Sequence, residues 1–148
     1  MIDLQRVPAI AGWYTMDVAQ PHLLGTSCKA CGTYFFPALK DFCRNPLCAG
    51  TDFTEVQLSR TGSIWSYTNA CYPPPPPFVV AEPFRPFAIA AVELEREKMI
   101  VLGQVVADVD VASLRIGMRM ELVLESLYQA ESEDRLIWKW RPLAGQAA

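Results

Sequence analysis

Short segments of period two carry most of the hydrophobic pattern of this chain. Phe53-Thr54-Glu55-Val56-Gln57-Leu58 alternates apolar and polar positions, Arg60-Thr61-Gly62 interrupts, and Ser63-Ile64-Trp65-Ser66-Tyr67-Thr68 alternates again. This is the pattern of half-buried strands separated by a turn or bulge. Pro86 to Leu94 is an apolar run, Glu95-Arg96-Glu97-Lys98 a charged break, and Met99 to Val106 a second run, which predicts an antiparallel hairpin with its tip in solvent. Val109 to Leu114 has room for one helical turn, and Ile116-Gly117-Met118 reads as the turn into the next strand. Met120 to Glu125, the acidic turn Glu131-Ser132-Glu133-Asp134 and Arg135 to Pro142 complete the sheet, with Trp138 and Trp140 on one face by period two. Roughly five antiparallel strands without a long helix predict a mainly β chain and a small closed barrel, which we take as OB-type.

Two stretches stand outside this pattern. Residues 1–27 show no sustained period, so they predict an extended arm with room for one short helix, ending in a strand. Trp13, Tyr14 and Leu23 in that arm need burial, against the rest of the chain or against another subunit. Cys71-Tyr72 leads into five prolines, Pro73 to Pro77, which have no backbone donors and predict a stiff polyproline loop. Such a loop suits recognition, because ordering it costs little entropy, or serves as a plain connector.

The strongest chemical signal precedes the barrel. Cys28-Lys29-Ala30-Cys31-Gly32 is followed, after eleven residues from Cys31, by Cys43-Arg44-Asn45-Pro46-Leu47-Cys48. Two cysteine pairs on tight turns, joined by a segment long enough for a hairpin, are what a tetrahedral four-thiolate site requires. Cys28, Cys31, Cys43 and Cys48 are thus the expected metal ligands, with zinc as the metal and iron an alternative of the same geometry. All-thiolate closure leaves no position for water, so the metal is structural. Tyr34-Phe35-Phe36-Pro37 supplies bulk to shield the thiolates, and Lys40 and Arg44 can offset the dianionic centre. Disulfides are disfavoured because the first residues carry Asp3 and Arg6 and show no secretory signal. His22, the single histidine, reads as a packing or surface residue. The expected division is an arm over 1–27, a zinc ribbon over 28–50, a barrel over 51–142 and a disordered tail over 143–148.

Composition narrows the function. A length of 148 residues with 51 % hydrophobic content suffices for a real core. The net charge of -3 and pI near 5.1 argue against a nucleic-acid partner. No apolar run reaches the ~18 residues of a membrane span, and reduced thiols place the protein in the cytoplasm. Four Trp, five Tyr and seven Phe in a chain with 20 % charged residues point to surface covered by a partner.

The order Cys-Lys-Ala-Cys-Gly-Thr-Tyr-Phe-Phe-Pro, the second cysteine pair and Arg60 to Thr68, with Pro86 to Leu94, Gly103, Leu114 to Met118 and Arg141-Pro142, resembles the family of zinc-ribbon plus OB-fold acyl-CoA-associated proteins. The resemblance spans about Leu23 to Pro142. It implies a non-catalytic subunit that docks on a thiolase-fold catalytic subunit, in a hetero-oligomer, and helps form its acyl-CoA site. The Trp-Lys-Trp ending and proline run are similar to small subunits of benzoylsuccinyl-CoA thiolases, and partners of steroid side-chain thiolase-aldolases are the nearest rivals. On this resemblance Lys40, Arg44, Arg60 and Arg85 are candidates to face the CoA phosphates. Two departures are visible. The second cysteine pair is separated by four residues and not the two more usual in the family, and Ala38, Leu39 and Lys40 stand where relatives carry an arginine, so Lys40 would act there as a point charge.

A catalytic set is missing from the pattern. Cys71 is the one thiol outside the cysteine pairs, with no base beside it in sequence. A phosphate-cradling glycine loop, HExxH and GxSxG are all absent. The alternative reading, a single-stranded nucleic-acid-binding ribbon/OB protein, requires a basic aromatic face, whereas here basic and acidic residues are interspersed.

Overall fold

The computed structural model describes residues 4–75 and 83–144. Its strands are β1 (Gln5–Pro8), β2 (Leu24–Cys28), β3 (Tyr34–Phe35), β4 (Phe53–Gln57), β5 (Thr61–Ala70), β6 (Phe87–Leu94), β7 (Ile100–Val105), β8 (Arg119–Ala130) and β9 (Glu133–Pro142). A single 3-10 turn at Val111–Ser113, capped by the Asp110 side chain, is the helical turn predicted there. Among the described residues there is no α-helix, and so no helix long and apolar enough to cross a membrane.

The strands form two sheets. In the larger, β5, β6, β7, β8 and β9 close into a barrel through the β8–β9 pairing. Both predicted hairpins are present, β6–β7 with Leu94 facing Met99 across the tip and β8–β9 with Leu122 opposite Trp140. Pairing in the barrel is antiparallel except between β7 and β9, where Gln104 meets Lys139 in parallel. Closure itself forces this exception, because five strands in a ring cannot all alternate in direction.

The second sheet has the order β3-β2-β4. Strand β4 alternates as expected, yet it pairs with β2 over Leu24–Cys28 and belongs to the ribbon, not to the barrel. Alternation encodes which face is buried and says nothing of the partner strand. The arm differs too. It holds no helix among its described residues, and β1 adds to β9 in parallel, with Val7 opposite Arg135, along the part of the β9 edge that β7 leaves uncovered. Leu143, expected in the disordered tail, donates its N–H to the Arg119 carbonyl at 3.0 Å. Pro76, Pro77 and residues 145–148 lie outside the described residues, so the second half of the proline run and the rest of the tail do too.

Arm, ribbon and barrel share one core. Trp138 stacks on Trp13 at 6.1 Å and meets Phe36 of the ribbon edge-on at 5.8 Å, while Tyr14 packs edge-on against it and donates its hydroxyl to the Leu136 carbonyl. Tyr14 is therefore buried and Trp13 half-buried within this chain. Trp140 is fully buried on the same face as Trp138. Room for the two indoles comes from Gly103, where an added Cβ would lie 2.9 Å from Trp138 Nε1 and from two atoms of Trp140.

A second junction joins ribbon to barrel. The Glu97 side chain, wholly covered, accepts the Ser59 N–H at 2.9 Å and an Arg96 N–H at 3.3 Å, and Arg96 also donates to the Gln57 carbonyl. Burial pushes the Glu97 carboxyl up, but the hydrogen bonds from Ser59 and Arg96 outweigh it and hold the pKa below its ordinary value. Its ionised form stabilises the fold, so that contribution is present above the unfolded value of about 4.3 and is lost as pH falls through the lower folded value. Glu97→Gln should lower stability at pH 7 by about 1 kcal/mol and flatten its fall on acidification. Urea midpoints at pH 7 and in the acid range check this, and an acid dependence parallel to that of the parent chain would refute it.

Candidate metal centre

The four predicted cysteines converge. Cys28 ends β2, Cys31 follows on the turn that Gly32 closes at φ +77°, and Cys43 and Cys48 lie on the loop before β4. Gly32 N–H donates to the Cys28 carbonyl at 2.8 Å, Cys28 N–H to the Thr33 carbonyl at 2.9 Å, and Cys43 N–H to the Gly50 carbonyl at 2.8 Å, so backbone hydrogen bonds shape both knuckles. The four Sγ atoms lie within 4.8 Å of one another. Cys28 to Cys48 measures 3.8 Å and Cys31 to Cys43 3.6 Å. A tetrahedron with Zn–S bonds of about 2.3 Å has edges of about 3.8 Å, so the donor set fits zinc. Despite the longer second turn, Cys48 stands in the set.

The surroundings are built for thiolates. Gly50 N–H donates to Cys48 Sγ at 3.3 Å, and Thr33 Oγ1 lies 3.1 Å from Cys31 Sγ. Hydrogen bonds from Thr33 hold the Cys31 thiol down at about 6, whereas burial pushes Cys43 up to about 12. Thiols this close resist joint ionisation, and a divalent cation removes that conflict. A Cβ on Gly50 would stand 2.8 Å from Cys28 Sγ and 3.3 Å from Cys48 Sγ, so only glycine fits behind the site. Thr33 and Gly50 were not singled out from sequence. The signal for Gly50 is its place just after the second pair, as Gly32 follows the first. Four thiolates fill the coordination sphere, and the zinc is structural.

The predicted basic residues do not gather. Lys40 pairs with Glu55 at 3.1 Å beside a cleft of about 300 Å³ that also includes Gly12, Leu24 and Val56. Arg60 donates to the Pro21 carbonyl at 2.9 Å and the Leu122 carbonyl at 3.2 Å, tying arm to barrel, and lines a cleft of about 570 Å³ with His22 and Arg96. Arg85 lies at the rim of a third cleft, of about 490 Å³, between Asn69, Phe87 and Val105. Arg44 is exposed on the second knuckle. His22 makes its hydrogen bonds to Thr15 and Gln20, away from the thiolates. Cys71 is exposed and hydrogen-bonds with Asn69.

Residues 17–54 match the model of the ChsH2 rubredoxin-like zinc ribbon domain, and residues 55–125 that of the ChsH2 C-terminal OB-fold domain. The chain is 34 % identical over 125 residues to a DUF35 domain-containing scaffold protein of Methanocaldococcus jannaschii, an alignment covering 82 % of each chain. Over 67 residues it is 39 % identical to the benzoylsuccinyl-CoA thiolase subunit BbsA of Thauera aromatica, covering 45 % of this chain and 40 % of that protein. Among solved structures it resembles a chain of the Ltp2-ChsH2(DUF35) aldolase with a TM-score of 0.59 and 28 % identity, over 82 % of this chain and 84 % of that one. With its four-thiolate ribbon continued into an OB barrel, the chain belongs to the ChsH2 (DUF35) family of zinc-ribbon and OB-fold proteins.

Proposed function

We propose that this protein is a non-catalytic cytoplasmic subunit that assembles with a thiolase-fold catalytic subunit and helps form its acyl-CoA site. The observation that carries this reading is a metal centre closed by four thiolates in a chain of a family whose members include a scaffold protein, a thiolase subunit and part of an aldolase complex. A second support is chemical. Cys71, the thiol outside the metal site, hydrogen-bonds with Asn69, and an amide cannot act as the base that a thiolase nucleophile needs.

Within the complex, Arg44 and Arg85 are the best placed of the predicted cations to meet CoA phosphates, because both are exposed while Arg60 is engaged with backbone carbonyls and Lys40 with Glu55. Thiolysis of benzoylsuccinyl-CoA, in the breakdown of aromatic compounds, is the specific reaction favoured by the likeness to BbsA. Single-stranded nucleic acid suits the surface less well, since Lys40, Arg60 and Arg85 line three different clefts and the net charge is -3. Co-expression with each thiolase-fold protein of the source genome, followed by size-exclusion chromatography, tests the assembly. One stoichiometric complex is expected, and failure to bind any of them overturns the reading.

A further inference from the structure

One face of the barrel is finished like an interface. On the outside of β5, β6 and β7 the register sets Ser66 opposite Ala91 and Ala91 opposite Leu102, with Glu93 opposite Ile100 one pair along. Trp65 is the extra residue of a β-bulge. Ile64 faces Val92 and Ser66 faces Ala91, so Trp65 has no partner on β6. It points outward with 60 % of its surface uncovered, and Ile100 and Leu102 on the same face are 40 % and 64 % uncovered. Bulges re-aim side chains in this way, and tryptophan is among the residue types most enriched at binding hot spots.

Two observations select the occupant. The three side chains expose on the order of 300 Å² of apolar surface, taking about 150–250 Å² for a large side chain. Two copies meeting there about a two-fold axis would bury about twice that, well short of the ~1,200 Å² of a stable complex. A second copy would also bring a second Glu93 carboxylate to the contact and no opposite charge from these paired positions, and like charges at an interface are unfavourable. A different protein that presents an apolar groove with a basic residue at its rim, and contacts further parts of this chain, meets both conditions.

We infer that the Trp65, Ile100 and Leu102 face is the surface through which this chain grips its thiolase-fold partner, with Glu93 facing a basic residue of that partner. The inference rests on the assembly proposed above and adds to it which face of the barrel docks. Leu102 and Trp65 are exposed, so polar replacements there leave the core intact.

The test measures the affinity of the purified full-length chain for the thiolase-fold protein that co-elutes with it. Leu102→Glu and Trp65→Ser are each expected to weaken binding at least 30-fold, Leu102→Met to stay within about threefold, and Glu93→Lys to weaken it about tenfold. Zinc content and circular dichroism confirm that each variant is folded, and Leu102→Ala and Trp65→Ala serve if a harsher variant is not. Affinities within threefold of the parent for both polar variants would overturn this face as the docking surface while leaving the assembly intact. Parent-chain self-association in sedimentation that Leu102→Glu abolishes would assign the face to a second copy and likewise overturn the inference. Absence of any thiolase-fold partner for the parent chain is a different result, which removes the assembly itself.

Discussion

Replacing Cys43 with serine is expected to reduce bound zinc from one ion per chain to less than one tenth and to collapse the ribbon while the barrel stays folded. Serine offers a hydroxyl that is neutral and hard at pH 7 in place of a soft thiolate, and structural zinc in small domains contributes about 10–16 kcal/mol of apparent binding energy that is also folding energy. The ribbon has little else to hold it. Its three strands are short, β3 has two residues, and its fully buried side chains near the metal are Cys28 and Thr26. The barrel's own strands supply most of the shared core, with Ile64, Val92, Leu94, Met120, Leu122 and Trp140 all buried. Metal analysis, with limited proteolysis across residues 28–50, reads the outcome. Full retention of zinc by the variant would contradict the site.

Gly103→Val is expected to destabilise the barrel by about 3 kcal/mol or more, the upper range for overpacking a close-packed core, and to lower the melting temperature by about 10 °C. The first added carbon would stand 2.9 Å from Trp138 Nε1 and from Cδ1 and Nε1 of Trp140. Neither indole has somewhere to go. Trp140 is fully buried, and Trp138 is held by Trp13, Tyr14 and Phe36 and by its own N–H bond to the Leu102 carbonyl at 3.1 Å. Because that cluster joins arm, ribbon and barrel, tryptophan fluorescence should report its loosening along with the loss of stability. A change of less than about 2 °C would mean that the indoles repack without cost.

These two sites show what the pattern of residues made readable and what it did not. Cysteine spacing pointed to the metal because the coordination geometry of zinc limits which spacings can work, and the hairpins at Glu95 to Lys98 and Glu131 to Asp134 announced themselves by charge between apolar runs. Period two placed Trp138 and Trp140 on one face, as observed. What it could not supply was partnership. The strand Phe53–Gln57 alternates like a barrel strand and pairs with the ribbon, and Gln5–Pro8 is too short to show a period at all, yet extends the barrel sheet along β9. Glycines whose role is steric were equally hidden, since Gly50 and Gly103 matter for what approaches them from distant positions. Arg60, counted among cations for a phosphate, spends two of its donors on the Pro21 and Leu122 carbonyls. The outward Trp65 depends on a bulge that alternation alone does not distinguish from a regular strand.

The most direct test of the central claim is a thiolysis assay with acyl-CoA substrates, benzoylsuccinyl-CoA among them, on this chain alone, on its thiolase-fold partner alone and on the reconstituted complex. This chain alone is expected to show no turnover, the complex full turnover, and the complex with Cys71→Ala the same rate as the parent. Turnover by the isolated chain, or its loss from the complex on Cys71→Ala, would place catalysis in this protein and contradict a non-catalytic subunit.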